Sequence, residues 1–233
     1  MVVLSLLPRL FTVILGLVST LAAFAATPSS TPAPDRSLGP AVIAATSAGD
    51  VDAVRDLVTR GAWLEARDDA GRTPLLIATH ANDLALATVL IDAGADVNAK
   101  DSVQDSAYLY AGASGFNEIL LLTLDHGADL ESTNRFGGTA LIPACERGHV
   151  ETVRILIAAG VDVDHVNRLG WTGLLEAIIL SDGGPAHQEI VRQLIDAGAN
   201  VNLADFEGMT PLQHAEERGF TLIAQMLREA GAH

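Results

Sequence analysis

A Gly followed by Ala or Val recurs at Gly61-Ala62, Gly94-Ala95, Gly127-Ala128, Gly160-Val161, Gly198-Ala199 and Gly231-Ala232, at spacings of 33, 33, 33, 38 and 33 residues. A second landmark, the Ala of a TPLxxA-like phrase, falls at Ala45, Ala78, Ala111, Ala144, Ala177 and Ala215, at spacings of 33, 33, 33, 33 and 38, which places the lengthening of both series between Ala177 and Gly198. Two unrelated landmarks thus share one period and one five-residue lengthening. Chance does not produce that agreement, and the chain after its N-terminal segment has to be read as one unit repeated six times.

The chemistry of the unit is readable. Thr73-Pro74 and Thr210-Pro211 set a hydroxyl N-cap before a Pro at the first helical position, where the missing N–H costs nothing. Gly49, Gly115, Gly148 and Gly219 end that short helix. A second helix follows, with apolar residues at helical spacing such as Val54, Leu57 and Val58, or Val153, Leu156 and Ile157. The Gly of Gly-Ala supplies its left-handed closing residue. A turn-rich link leads on to the next cap. Composition agrees: the chain is 49% hydrophobic but only 4% aromatic, which suits helices packed through small residues better than a β-sandwich.

Helix–turn–helix units of 33 residues joined by turn-rich links, with TPL and GADVN phrases, resemble the ankyrin repeat. The resemblance implies an all-α solenoid of about six helix–turn–helix repeats with β-hairpin-like connecting loops, spanning residues 38–233. The repeats are expected near 38–67, 68–100, 101–133, 134–166, 167–204 and 205–233. Arg228 stands where earlier repeats have Val58, Ile91, Leu124, Ile157 and Ile195, as a terminal cap requires. The sequence also departs from the family. The position after TPL, often His, holds Leu76, Leu109, Ile142, Leu175 and Gln213, which substitutes apolar packing for a polar network. Gln104 replaces the Gly of the other tips (Gly71, Gly137, Gly170, Gly208), and its turn is expected to be distorted or looser.

Residues 1–25 form a different segment. Arg9 is its one charge, residues 10–25 are apolar apart from Thr12, Ser19 and Thr20, and Ala23-Phe24-Ala25 is an A-x-A site. The reading is a signal peptide cleaved after Ala25, hence a periplasmic or secreted protein; an uncleaved anchor is the alternative. A Pro/Ser/Thr linker follows over residues 26–37. The formal net charge is −15, and no Asp or Glu precedes Asp35. Such a chain is repelled by phosphate backbones and anionic membranes, so neither nucleic acid nor a membrane surface is an expected partner.

Chemistry-bearing motifs are scarce. There is no GxSxG, Walker, HExxH or acidic calcium-loop motif, and the expectation is no enzyme, no cofactor and no metal. His149 and His187 take a position that the resemblance makes commonly His. His80, His126, His165, His214 and His233 fall at non-equivalent positions. Cys145 stands alone, where a small buried residue is normal.

The resemblance designates a concave face, built from the hairpin tips and the exposed side of each first helix, as the partner-binding surface. Carried over repeat by repeat, it comprises Asp69, Ala70, Arg72, His80 and Ala81; then Ser102, Val103, Asp105, Ala113 and Ser114; then Arg135, Phe136, Gly138, Glu146 and Arg147. The fifth repeat adds Arg168, Leu169, Trp171, Ile179 and Leu180, and the sixth Phe206, Glu207, Met209, Glu217 and Arg218. Repeats four to six are unusually apolar there. The candidate protein-binding residues are Arg135, Phe136, Arg168, Leu169, Trp171, Ile179, Leu180, Phe206 and Met209, aromatic and Arg groups of the kind that anchor interfaces. The competing reading is that they pack on one another and stabilise the tips.

The function expected is a monomeric, non-enzymatic binder of a protein with a basic surface, acting as inhibitor, immunity or stabilising factor. The alternative is an enzyme or metal-binding protein on the same scaffold, using Glu176, His187 and Glu189 beside the insertion at residues 182–186.

Overall fold

The computed structural model describes residues 33–233, which form one compact unit. The segment expected as a signal peptide and most of the expected linker lie outside the described residues. Asp35, in the stretch expected as linker, is tied to the first repeat: its N–H donates to Gly61 O at 2.8 Å, its carbonyl accepts from Trp63 N at 3.2 Å, and its side chain caps a 3₁₀ turn over Arg36–Leu38.

Twelve helices follow among the described residues, in six pairs. They are α1 (Gly39–Ser47) with α2 (Val51–Thr59), α3 (Pro74–His80) with α4 (Leu84–Asp92), and α5 (Ala107–Ser114) with α6 (Asn117–Asp125). Then come α7 (Leu141–Glu146) with α8 (Val150–Ala159), α9 (Gly173–Ile179) with α10 (Pro185–Asp196), and α11 (Pro211–Glu217) with α12 (Thr221–Glu229). First helices pack on first helices of the neighbouring pairs and second helices on second helices, so each inner unit is buried between two others and each terminal unit against one. None of these helices is long and apolar enough to cross a membrane.

The caps are those the sequence spells out. Thr73, Ser106, Thr172 and Thr210 each accept a hydrogen bond from the amide three residues on. Thr210 and Gln213 complete a reciprocal capping box. Asp50 and Asp83 do the same service for α2 and α4. Between the layers lies one continuous core, with Leu75, Leu86, Leu90, Ile119, Leu141, Leu156 and Ile178 all buried. Of the positions after TPL, Leu76, Leu109, Ile142 and Leu175 are buried, Leu109 within this core, and the terminal Gln213 is exposed. Cys145 is fully buried, and burial holds its thiol far above the usual range.

In place of a buried polar network between repeats, a ladder runs along the connecting loops. Glu65 accepts from Asp96 N at 2.9 Å, Asn98 from Asp129 N at 2.8 Å, Asp164 from Asn200 N at 2.8 Å and Asn202 from His233 N at 3.1 Å. Each bond spans one repeat. The tips of the loops are tight turns held by Asp68, Asp101, Asn134, Asn167 and Asp205, each accepting two backbone N–H groups on Oδ1.

The third tip corrects an expectation. Gln104 adopts φ 68°, beside 78°, 75°, 83° and 81° for Gly71, Gly137, Gly170 and Gly208. Its turn closes with the same pair of bonds, Gln104 N to Asp101 O at 3.2 Å and Asp101 N to Asp105 O at 2.9 Å. The Asp101 side chain enforces the turn, so the cost appears as backbone strain at Gln104 and not as a distorted loop. The five-residue insertion is likewise held: Gly183 lies against the Phe220 ring, where a Cβ would come within 2.6 Å, and its carbonyl accepts from the Gln188 side chain at 2.7 Å.

Candidate binding cleft between the third, fourth and fifth repeats

The first helices and loop tips of consecutive repeats present equivalent positions one period apart, so a short side chain in one repeat opens a gap between its neighbours. The fourth repeat is short twice. Gly138 stands between Asp105 and Trp171 of the adjacent tips, and Pro143 between Tyr110 and Glu176 of the adjacent first helices. Pro143 also lacks the N–H that Ile77, Tyr110, Glu176 and His214 donate to the carbonyl of their cap residue. Thr139 O therefore bonds Ile142 N instead, at 3.3 Å, and the buried Thr139 hydroxyl has no partner among the described residues.

The result is a cleft of about 350 Å³. Asp105, Tyr110 and Ala113 line it from the third repeat, and Gly138, Ile142, Pro143, Glu146 and Arg147 from the fourth. Asn167, Leu169, Glu176 and Leu180 close it from the fifth, and Asn134, Arg135 and Phe136 form the fourth tip above it. Three of these groups are large, apolar and open to solvent: Phe136 is 50% exposed, Leu169 49% and Leu180 47%.

The charged groups are unevenly satisfied. Arg135 reaches toward Asp105 (3.7 Å) and lies over the Phe136 ring, 4.7 Å from its centroid. Arg147 donates to Ala113 O at 2.6 Å. Burial and the neighbouring Asp101 raise the Asp105 carboxyl above its ordinary value, against the pull of Arg135. Glu176 is 6% exposed, and burial followed by the repulsion of Glu146 pushes it up to about 7. The counteracting influence is Asn167, whose Nδ2 donates to Glu176 Oε1 at 2.8 Å.

Of the nine candidate residues, the fold gathers Arg135, Phe136, Leu169 and Leu180 at this cleft. Arg168 is a staple between tips: its N–H donates to Phe136 O and its guanidinium to Arg135 O, both at 2.9 Å. Trp171 and Ile179 are half-buried and outside the lining. The Phe206 ring covers Gly170, where a Cβ would meet it at 2.6 Å, yet Phe206 remains 72% exposed. Met209 lines a separate shallow hollow with Gln213, Glu216 and Glu217. Packing and exposure therefore coexist at the fifth and sixth tips.

Tyr110, Pro143, Asn167 and Glu176 are lining residues that the carried-over face omitted. A usable signal existed: Asn167 and Glu176 are nine residues apart, as are Asp205 and His214, which pair at 2.7 Å. The residues of the metal or enzyme alternative have separate partners. His187 Nε2 is 3.0 Å from Glu146 O, Glu189 pairs with Arg192, and Glu176 is held by Asn167. Among the described residues no group of three His, Cys, Asp or Glu side chains is placed to hold a metal.

Comparison with known proteins points one way. A family model described as ankyrin repeats (3 copies) matches residues 23–101 and 108–205. A crystallised ankyrin repeat domain from Acinetobacter baumannii is 58% identical, with a TM-score of 0.81 over 83% of this chain and 98% of that one. The ankyrin repeat domain of Bcl-3, a member of the IκB family, is 29% identical, with a TM-score of 0.75 over 82% and 86% of the two chains. The putative ankyrin repeat protein YahD of Escherichia coli K12 is 55% identical over 58 residues, 25% of this chain, and the match spans only 29% of that relative's length.

Proposed function

Since the chain belongs to the ankyrin-repeat family, whose repeats are general protein–protein interaction modules, we propose that it is a non-enzymatic binder whose partner docks on the cleft between repeats three, four and five. The observation that carries this reading is the ring of exposed apolar groups, Phe136, Leu169 and Leu180, around a recess floored by charged residues. Large apolar side chains left in water around a concave recess are the composition of an interface anchor. Compared with the surface expected over repeats four to six, the centre moves one repeat toward the N-terminus, and Trp171, Phe206 and Met209 become its flank. The net charge of −15 favours a partner with a basic face, through faster encounter and rejection of acidic competitors. The apolar segment over residues 10–25 and its A-x-A site favour action in the periplasm or outside the cell.

The test is co-purification from the native cell envelope with a C-terminally tagged full chain, beside Leu169→Glu and Phe136→Glu variants. Both sites are half-exposed, so thermal unfolding should be nearly unchanged. A protein retained by the parent and lost by both variants supports the cleft; equal retention by all three places the interface elsewhere. N-terminal sequencing of the same preparation reads Ala26 first if the leader is removed.

A further inference from the structure

The cleft contains a buried acid with one oxygen unengaged. Glu176 Oε1 is taken by the Asn167 amide at 2.8 Å, while no donor among the described residues reaches Oε2, although the side chain lines the open recess. The residue is more than nine-tenths buried. The charge acting on it is that of Glu146, of the same sign, from α7. The two arginines of the rim are committed elsewhere, Arg147 to Ala113 O and Arg135 to Asp105 and the face of Phe136. Two carboxylates facing a partly dry recess whose arginines are engaged by other groups are satisfied by a proton or by a positive ligand. Above them stand Phe136, Leu169 and Leu180, an apolar collar with about half of each side chain in water.

We propose that this recess takes one basic side chain of the partner, Lys or Arg, with its cationic head between Glu176 and Glu146 and its methylene stem against Phe136, Leu169 and Leu180. The inference rests on the protein-binding reading above and names the chemistry that the cleft selects. A basic side chain is amphipathic in the matching order, since its stem buries against apolar groups while its head finds charge. Head and stem are both needed to fill the site: an anion is repelled by the two carboxylates, and a purely apolar side chain leaves Glu176 Oε2 without a donor. The overall acidity of the chain assists by drawing basic segments toward it.

The experiment is an NMR titration of the full chain with three small probes, N-acetyl-lysine methylamide, N-acetyl-arginine methylamide and the neutral N-acetyl-norleucine methylamide. The cationic probes should give saturable shifts at Glu176, Asn167 and Leu180, and the norleucine probe should bind at least about tenfold more weakly. Glu176→Gln, which keeps the acceptor for Asn167, should weaken the lysine probe by about tenfold or more with the rest of the spectrum unchanged. Glu146→Gln, at a partly exposed site, repeats the test at a side chain less buried than Glu176. No saturable shift up to the solubility limit of the cationic probes, or equal binding of norleucine, overturns the proposal. So does binding that neither glutamine substitution weakens. If the probes fail while the chain still captures a partner that Leu169→Glu releases, the cation assignment falls and the binding face stands.

Discussion

Asn167 and Glu176 form a pair that joins a loop tip to the floor of the cleft. Asn167 Oδ1 accepts from Leu169 N at 2.9 Å and Trp171 N at 3.0 Å, which shapes the turn, while its Nδ2 donates to Glu176 Oε1 at 2.8 Å. In the sixth repeat the same two positions hold Asp205 and His214, again joined at 2.7 Å. The amide at 167 is thus matched to an acid at 176, as the acid at 205 is matched to an imidazole at 214. An Asp shapes the turn equally well at 68, 101 and 205; what it cannot do is donate.

Asn167→Asp should therefore keep the tip and break the pair. The variant loses a hydrogen bond to a buried carboxylate and sets a second carboxylate against it, a loss on the order of 1–3 kcal/mol at neutral pH. Asn134→Asp is the control. Its Oδ1 makes the same turn bonds to Phe136 N and Gly138 N, and no partner engages its Nδ2 among the described residues, so the change should be within about 0.5 kcal/mol. Urea unfolding at neutral and acidic pH checks both, and the Asn167→Asp deficit should shrink in acid as one carboxyl takes a proton. Equal effects of the two substitutions refute the pairing.

Glu176→Gln should raise stability while reducing ligand capture. Burial and Glu146 push the folded carboxyl up to about 7, against 4.5 for the unfolded reference. Between those values the folded state holds more protons than the unfolded chain, so the contribution of Glu176 to stability falls as pH rises through this window. Above about 7 the native state bears the full cost of a buried charge; below about 4.5 both states are protonated and the cost is gone. Glutamine removes that cost and retains an acceptor for Asn167. The gain over the parent should be greatest at pH 8, on the order of 3 kcal/mol at most, and disappear near pH 4. A gain that does not depend on pH contradicts the assignment.

The period made the backbone legible, because caps, helix ends and turns are set by residues within one unit of each other. The cleft was less so, because it exists through differences between units. Gly138 and Pro143 are each unremarkable within the fourth repeat. Only beside Asp105, Trp171, Tyr110 and Glu176 of its neighbours do they become a gap. Arg168 illustrates the same limit: its bonds to Phe136 O and Arg135 O, one repeat away, follow from the stacking of two units and not from either alone. Phe136 and Leu169 were visible as apolar residues at tips, since their exposure follows from their place in the turn and not from the packing of other repeats.

Gln104→Gly should stabilise the third tip. The side chain is exposed, so no packing is lost, and φ 68° is a conformation that costs an L-residue roughly 1–2 kcal/mol. Glycine removes that strain but gives the unfolded chain more freedom, which returns roughly 0.5–1 kcal/mol. The expected net gain is about 0.5–1 kcal/mol in urea unfolding. A loss of stability instead would show that the Gln104 side chain makes a contact its exposed position does not suggest.

Leu156→Ala tests the packing register of the whole stack. The residue lies in α8 with no exposed surface, and α8 packs on α6, α7 and α10, so a truncation there opens a cavity that no single helix can close. The expected loss is roughly 2–5 kcal/mol. Leu121, in α6, is 48% exposed, and Leu121→Ala should change stability by no more than about 0.5 kcal/mol. The contrast matters more than either value, because both are Leu-to-Ala changes in second helices of adjacent repeats. If the two variants unfold at the same urea concentration, the apolar faces of α6 and α8 are not those assigned to the core. The exposed collar around the cleft, read from the same register, would then fall with them.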